Sequence, residues 1–140
     1  MTYDITAPAD PGGAYDAIWA PLLAFNQAQV GQAEGRPFAL TLSPPGDASV
    51  HGGLWGLSLW GSFYIALVVV PEDARGRGLR RELMARAEAE ARLRDCRELW
   101  LDTYAFQARP FYEALGFTVF GQLDGPAQMF PRWFLRKALD

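Results

Sequence analysis

Four arginines, Arg75, Arg77, Arg80 and Arg81, crowd a pair of glycines, Gly76 and Gly78, where an apolar run gives way to a helical pattern. The run Ile65 to Val70 stops at Pro71, a short polar bend follows, and helical spacing begins at Leu79. Strand, glycine-bearing turn and helix in that order present bare backbone N–H groups and a helix N-terminus to a phosphate. A helix N-terminus already carries roughly +0.5 of a charge, so cations there are unfavourable and a purely structural helix prefers Asp or Glu. Four arginines fit a ligand with several negative charges. The plainer alternative is a set of solvated surface arginines.

A second stretch, FYEALGF from Phe111 to Phe117, places Tyr112 four residues before Gly116-Phe117. Together the two stretches resemble the GCN5-related N-acetyltransferases (GNAT). The first is similar to that family's acyl-CoA-binding pattern, Q/R-x-x-G-x-G/A, at Arg75 and Gly78, and departs from it at Arg80, where the family has Gly or Ala. The likeness covers about residues 50 to 137 and reaches the N-terminal third more loosely. It implies an α/β fold with a central mixed β-sheet and helices on both faces. It also implies transfer of an acetyl group from acetyl-CoA, as cosubstrate, to a primary amine of a small molecule by direct attack.

On that resemblance each part of the reaction finds a candidate. Arg75, Gly76, Arg77, Gly78, Leu79 and Arg80 would hold the diphosphate, mostly through main-chain N–H groups, with the glycines allowing close approach. The Arg80 side chain would either pair a phosphate or crowd the site. The pantetheine arm would lie along Val68, Val69 and Val70, with Val68 and Val70 offering backbone groups and one amide polarising the thioester carbonyl. Tyr112 would protonate the departing sulfur; read structurally, it is an ordinary core aromatic. The run Val68 to Val70 is equally good core material, and both readings hold if backbone does the binding.

The group that takes the amine proton is open. An alkyl amine resembles Lys, with a pKa of about 10.4, and must be neutral to attack. Many relatives carry an acid on the central strand; Ile65-Ala66-Leu67 has none. Glu72, Asp73 and Asp102 are candidates, and a water chain is another. Ala105 stands where many relatives have Asn, with Gln107 nearby. Trp55, Trp60, Phe63 and Tyr64 surround a predicted hairpin, and either line an amine pocket or serve the core and stabilise the hairpin as cross-strand aromatics. His51 and Cys96, each the single residue of its type, carry no assigned chemistry.

The elements that must position these groups follow from periodicity. Tyr3 to Ala7 reads as a first strand, and helical spacing runs from Ala14 to about Val30, with Pro21 ending or kinking it. Phe38 to Leu42, Val50 to Trp60 and Phe63 to Val70 read as strands. Glycines at 52, 53 and 56 mark a bulge or a close approach, and Trp60-Gly61-Ser62-Phe63 suits a tight hairpin with Gly at the position a type II′ turn needs. Leu79 to Asp95 is a helix with an apolar stripe through Leu83, Met84, Ala87 and Ala91. Leu99 to Thr103, Phe117 to Leu123 and Met129 to Lys137 are strands, and a short helix from Arg109-Pro110 ends at Gly116. The order β-α-β-β-β-α-β-α-β-β makes a mixed sheet.

Composition narrows the rest. The 140 residues are half hydrophobic and 14% aromatic, enough for the core of one domain, residues 1–140. Net charge is −3, so there is no broad basic footprint for nucleic acid. No apolar run reaches the ~20 residues of a membrane helix, no leader is visible, and the single cysteine excludes an internal disulfide or a cysteine-rich metal site. A cytoplasmic location is expected, with a homodimer through apolar C-terminal strands a possibility. Two other readings stay open: a non-catalytic acyl-CoA-binding or sensing module on the same fold, and a nucleotide-binding loop, which lacks the Lys-Ser/Thr after its glycines.

Overall fold

A computed structural model describes residues 1–126 and 129–140, in two compact units, Met1–Glu34 and Gly35–Asp140. In the first unit one helix, α1, spans Ala14–Val30. Pro21 lies inside it without breaking it; proline's fixed φ fits a helix, and only one i→i−4 bond is lost. Gly31, at φ 81°, ends it, donating its N–H to the Gln27 carbonyl at 2.9 Å. The expected strand Tyr3–Ala7 does not form, and Tyr3 and Ile5 are exposed. A strand needs a hydrogen-bonded neighbour, and this unit offers none.

The second unit is a six-stranded sheet: β1 Arg36–Leu42, β2 Gly52–Leu59, β3 Ser62–Val69, β4 Glu98–Tyr104, β5 Thr118–Leu123 and β6 Arg132–Ala138. Its spatial order is β1-β2-β3-β4-β6-β5, antiparallel throughout except for the parallel pair β3–β4. Helix α2, Leu79–Leu93, makes the crossover between that pair, and the short α3, Arg109–Ala114, joins β4 to β5. Both helices bury their apolar sides in one cluster. Leu83, Met84, Ala87 and Ala91 of α2 and Tyr112 of α3 join Leu54, Phe63, Ile65, Leu99, Leu101 and Leu135 of the sheet. The mixed sheet expected from the sequence is therefore found, one strand shorter in element order.

The β2–β3 hairpin is as tight as expected, but it turns one residue earlier and with a different turn type. Leu59 pairs with Ser62 across a two-residue loop. Trp60 and Gly61 have φ of 50° and 82°. Positive φ at both positions is type I′, which matches the strand twist.

Arg94, just past α2, ties the edge strand down. Its side chain is 8% exposed. It donates to the carbonyls of Arg36 and Pro37 and to Ser58 Oγ, pairs with Glu90 at 2.9 Å, and lies 5.6 Å from the rings of both Phe38 and Phe63.

Candidate active site

The site begins with a fault in the sheet. Opposite β3, Gly56 faces Ile65 and Trp55 faces Leu67, which leaves Ala66 as a bulge. A side chain at residue 56 would put its Cβ 2.6 Å from the Tyr64 carbonyl oxygen, so glycine is required there. A bulge bends its strand. β3 pairs with β4 only at Ser62, Phe63 and Tyr64, opposite Glu98, Leu99 and Trp100. Beyond them β3 stays with β2 while β4 stays with β6, and the two parallel strands part.

A cavity of about 650 Å³ fills the gap. Ile65 to Val68 form one wall and Leu101 to Thr103 the other, with Phe106, Gln107, Ala108 and Tyr112 closing one end and Arg75 and Arg80 beside them. Tyr112 is 8% exposed, its ring set edge-on to Phe111 at 5.1 Å and Phe117 at 6.0 Å. Its hydroxyl has no hydrogen-bond partner among the described residues. Burial pushes the phenol above its ordinary range, and the Arg80 charge pulls it part of the way back. It is a protonated donor at neutral pH.

A second cavity, about 320 Å³, lies at the start of α2, between Val70, Ala74, Gly76, Gly78, Leu79 and Phe111. Gly76 and Gly78 sit at φ 78° and 77°, a region that costs other residues roughly 1–2 kcal/mol. The turn this makes leaves the amides of Gly76 to Arg81 without a backbone acceptor among the described residues. Arg75 donates from Nε to the Val70 carbonyl at 3.3 Å. Arg80 lies with its guanidinium 5.5 Å from the Phe111 ring centroid.

The candidate residues thus fall into groups. Tyr112 and Val68 border the larger cavity, Val70, Gly76, Gly78 and Leu79 the smaller, and Arg75 and Arg80 both. Val69 turns its side chain to the other side of the sheet, beside Trp55 and Leu67, and the exposed Arg77 borders neither cavity. Glu72 and Asp73 are exposed residues of the 3₁₀ turn Glu72–Ala74 and line neither cavity. Asp102 does reach the larger cavity, but its carboxylate is taken. Tyr64 donates to Oδ1 at 3.1 Å, and Arg132 pairs with Oδ2 at 2.6 Å. Of the hairpin aromatics, Phe63 is fully buried in the core, Trp60 is exposed at the turn and Tyr64 stacks on Trp100; none borders the larger cavity.

Residues 18–117 match the family model described as the acetyltransferase (GNAT) family. The chain belongs to that family. It is 42% identical over 126 residues, 90% of each chain, to an acetyltransferase of Agrobacterium fabrum. A crystal structure of a protein assigned as an acetyltransferase from Agrobacterium tumefaciens superposes with a TM-score of 0.86, at 36% identity, covering 99% of this chain and 100% of the other. The blasticidin-S acetyltransferase of Streptomyces morookaense is 42% identical over 67 residues, 47% of this chain and 49% of that one.

As a GNAT acetyltransferase the enzyme uses acetyl-CoA. Its smaller cavity has the donors a diphosphate needs: amides without a backbone acceptor and the guanidinium groups of Arg80 and Arg81 without an acid, both among the described residues, and a helix N-terminus. Its larger cavity opens beside strand backbone that lacks a β4 partner. Arg132 and Phe106 are site neighbours that sequence reading missed. Arg132 lies thirty residues from Asp102, and only the β4–β6 register, which sets Tyr104 opposite Arg132, brings them together.

Proposed function

We propose that this acetyltransferase passes the acetyl group to a primary amine of a small molecule by direct attack, within a single domain. One observation carries the reading: a phenol and a row of amides, all without hydrogen-bond partners among the described residues, lie on adjoining cavities joined by Arg75 and Arg80. Gly76, Gly78, Leu79 and the main chain of Arg75, Arg77 and Arg80 take the diphosphate. The backbone of Val68, Val69 and Val70 holds the pantetheine arm as an added strand would be held, and Tyr112 donates its proton to the sulfur. Asp102 is paired already, so water takes the amine proton. A small acceptor is supported by the modest volume of the larger cavity, about 650 Å³, and by the absence among the described residues of an unpaired carboxylate on it, which a polycation would seek. The blasticidin-S acetyltransferase, matched over about half of this chain, is named for a small-molecule acceptor, a precedent for such a molecule.

The test is a thermal-shift titration with acetyl-CoA followed by thiol release across a panel of amines. Stabilisation with turnover is expected. Binding without turnover on any amine would favour the sensing module instead. Tyr112→Phe should lower kcat about a hundredfold, as loss of a general acid does, with the acetyl-CoA Kd nearly unchanged. Lost folding stability without a kinetic change would make Tyr112 a core aromatic only.

We also propose a cytoplasmic setting, which the buried, unpaired Cys96 suits. Among the described residues no helix is long and apolar enough to cross a membrane. Exposed Phe120 and Leu123 on the edge strand β5 support pairing of two copies there; a monomer mass by light scattering at high concentration would refute it.

A further inference from the structure

Arg80 stands where the family pattern has a small residue, and it is the second residue of α2. A cation so close to a helix N-terminus works against the helix. Among the described residues it makes no hydrogen bond or ion pair; its one contact of note is the face of Phe111, 5.5 Å away. Arg75, the other residue common to both cavities, is tied to the Val70 carbonyl. Arg80 is therefore an uncommitted charge on the wall between the phosphate turn and Tyr112. The turn already has free amides and further arginines. The reaction creates a second anion, at sulfur, on the other side of that wall.

We propose that the Arg80 guanidinium is a catalytic group of this acetyltransferase, stabilising the sulfur as it leaves and the Tyr112 phenolate that follows. The proposal rests on the acetyl-CoA site assigned above. The amine nitrogen attacks the thioester carbonyl carbon, a C–N bond forms and the C–S bond breaks, its electron pair going to sulfur. Tyr112 gives its proton to that sulfur. The amine proton passes to water, and the phenolate regains a proton from solvent. Negative charge moves from sulfur to phenolate oxygen, and one cation on the shared wall serves both. The Arg80 charge already acts on the Tyr112 phenol in the opposite sense to burial, so the two groups sense each other in the resting protein.

The experiment measures kcat at saturating acetyl-CoA for Arg80→Ala and Arg80→Lys, each alone and with Tyr112→Phe. Arg80→Ala is expected to lower kcat about tenfold, the size of one charge interaction in a partly screened site, and Arg80→Lys to recover most of it. With Tyr112→Phe in place the Arg80→Ala loss should persist or grow, because the sulfur then leaves as an unprotonated thiolate that only the guanidinium faces; a loss that vanishes would limit Arg80 to the phenolate and overturn its role at sulfur. A loss confined to the KM for acetyl-CoA would show that the guanidinium serves the phosphates alone and overturn the proposal. Equal losses in Ala and Lys, with matching falls in thermal stability, would also overturn it by reducing Arg80 to a packing partner of Phe111. A wild-type protein that does not bind acetyl-CoA refutes the underlying site instead, and the two failures are told apart by the thermal shift.

Discussion

The two ends of α2 treat charge in opposite ways. Toward its C-terminus each cation has an acid of its own. Arg86 meets Glu82 at 2.7 Å, Arg92 meets Glu88 and Asp140, Arg94 meets Glu90, and Lys137 of β6 reaches Glu88 at 2.6 Å. At the N-terminus Arg77, Arg80 and Arg81 have no acid among the described residues, although the chain as a whole is acidic, with a net charge of −3. One end settles its electrostatics within the fold; the other leaves them to be completed by something that is not protein. The surplus, the amides without a backbone acceptor and the positive-φ glycines fall in the same turn, where the acetyl-CoA site is proposed, while the complete end is scaffold.

The strongest way to break that division is to supply the missing negative charge covalently. Gly78→Glu should take acetyl-CoA binding below detection. A carboxylate beside a phosphate at partial dielectric costs up to about 4 kcal/mol, near a thousandfold in Kd. A Cβ at residue 78 meets nothing within 4 Å, so folding is lowered only by the strain of φ 77°, and an unchanged Kd in isothermal titration would move the site elsewhere. The converse test falls on the scaffold end. Arg94→Ala strips partners from the carbonyls of Arg36 and Pro37 and from Glu90. It should cost about 3 kcal/mol in denaturant unfolding, as losing a largely buried, hydrogen-bonded charge does. The folded fraction should bind acetyl-CoA with its original Kd; a weakened Kd would mean that the two ends are coupled.

What could be read in advance follows the same line between local and distant. Gly76 and Gly78 announce their role because positive φ and close approach are written in one residue each. The α2 stripe is equally plain, since Leu83, Met84, Ala87 and Ala91 need only helical periodicity. The parting of β3 and β4 was half visible: Gly56 signalled a close approach, but that Ala66 would be the extra residue depends on register against β2. The Asp102–Arg132 pair was invisible because it exists only through the β4–β6 ladder. Whether Phe63 would line a pocket or fill the core stayed open for a related reason, as a one-residue difference in register decides which face a side chain takes. Trp60 at φ 50° defeated the turn assignment because the hairpin twist outweighs the preference of a bulky residue for negative φ.

Two smaller effects sharpen the contrast. The acetyl-CoA Kd should rise several-fold between low salt and about 0.3 M, since exposed arginines such as Arg77 and Arg81 act through screened charge. A salt-independent Kd would mean that the amides alone hold the ligand.

The smallest effect belongs to Arg86, two turns along the same helix from the phosphate turn. Its pair with Glu82 has both side chains more than half exposed, and such i,i+4 pairs are worth roughly 0.3–0.5 kcal/mol. Arg86→Ala should therefore move the melting midpoint by no more than a degree or so, partly offset by alanine's better helix propensity. Its acetyl-CoA Kd and salt dependence should equal those of the wild type. Removing one positive charge from α2 at residue 86 or at residue 81 changes the net charge of the chain equally. If affinity falls alike in both variants, long-range attraction by the whole helix is what holds the ligand; if it falls only at residue 81, on the smaller cavity, binding depends on the particular cations that have no acid among the described residues.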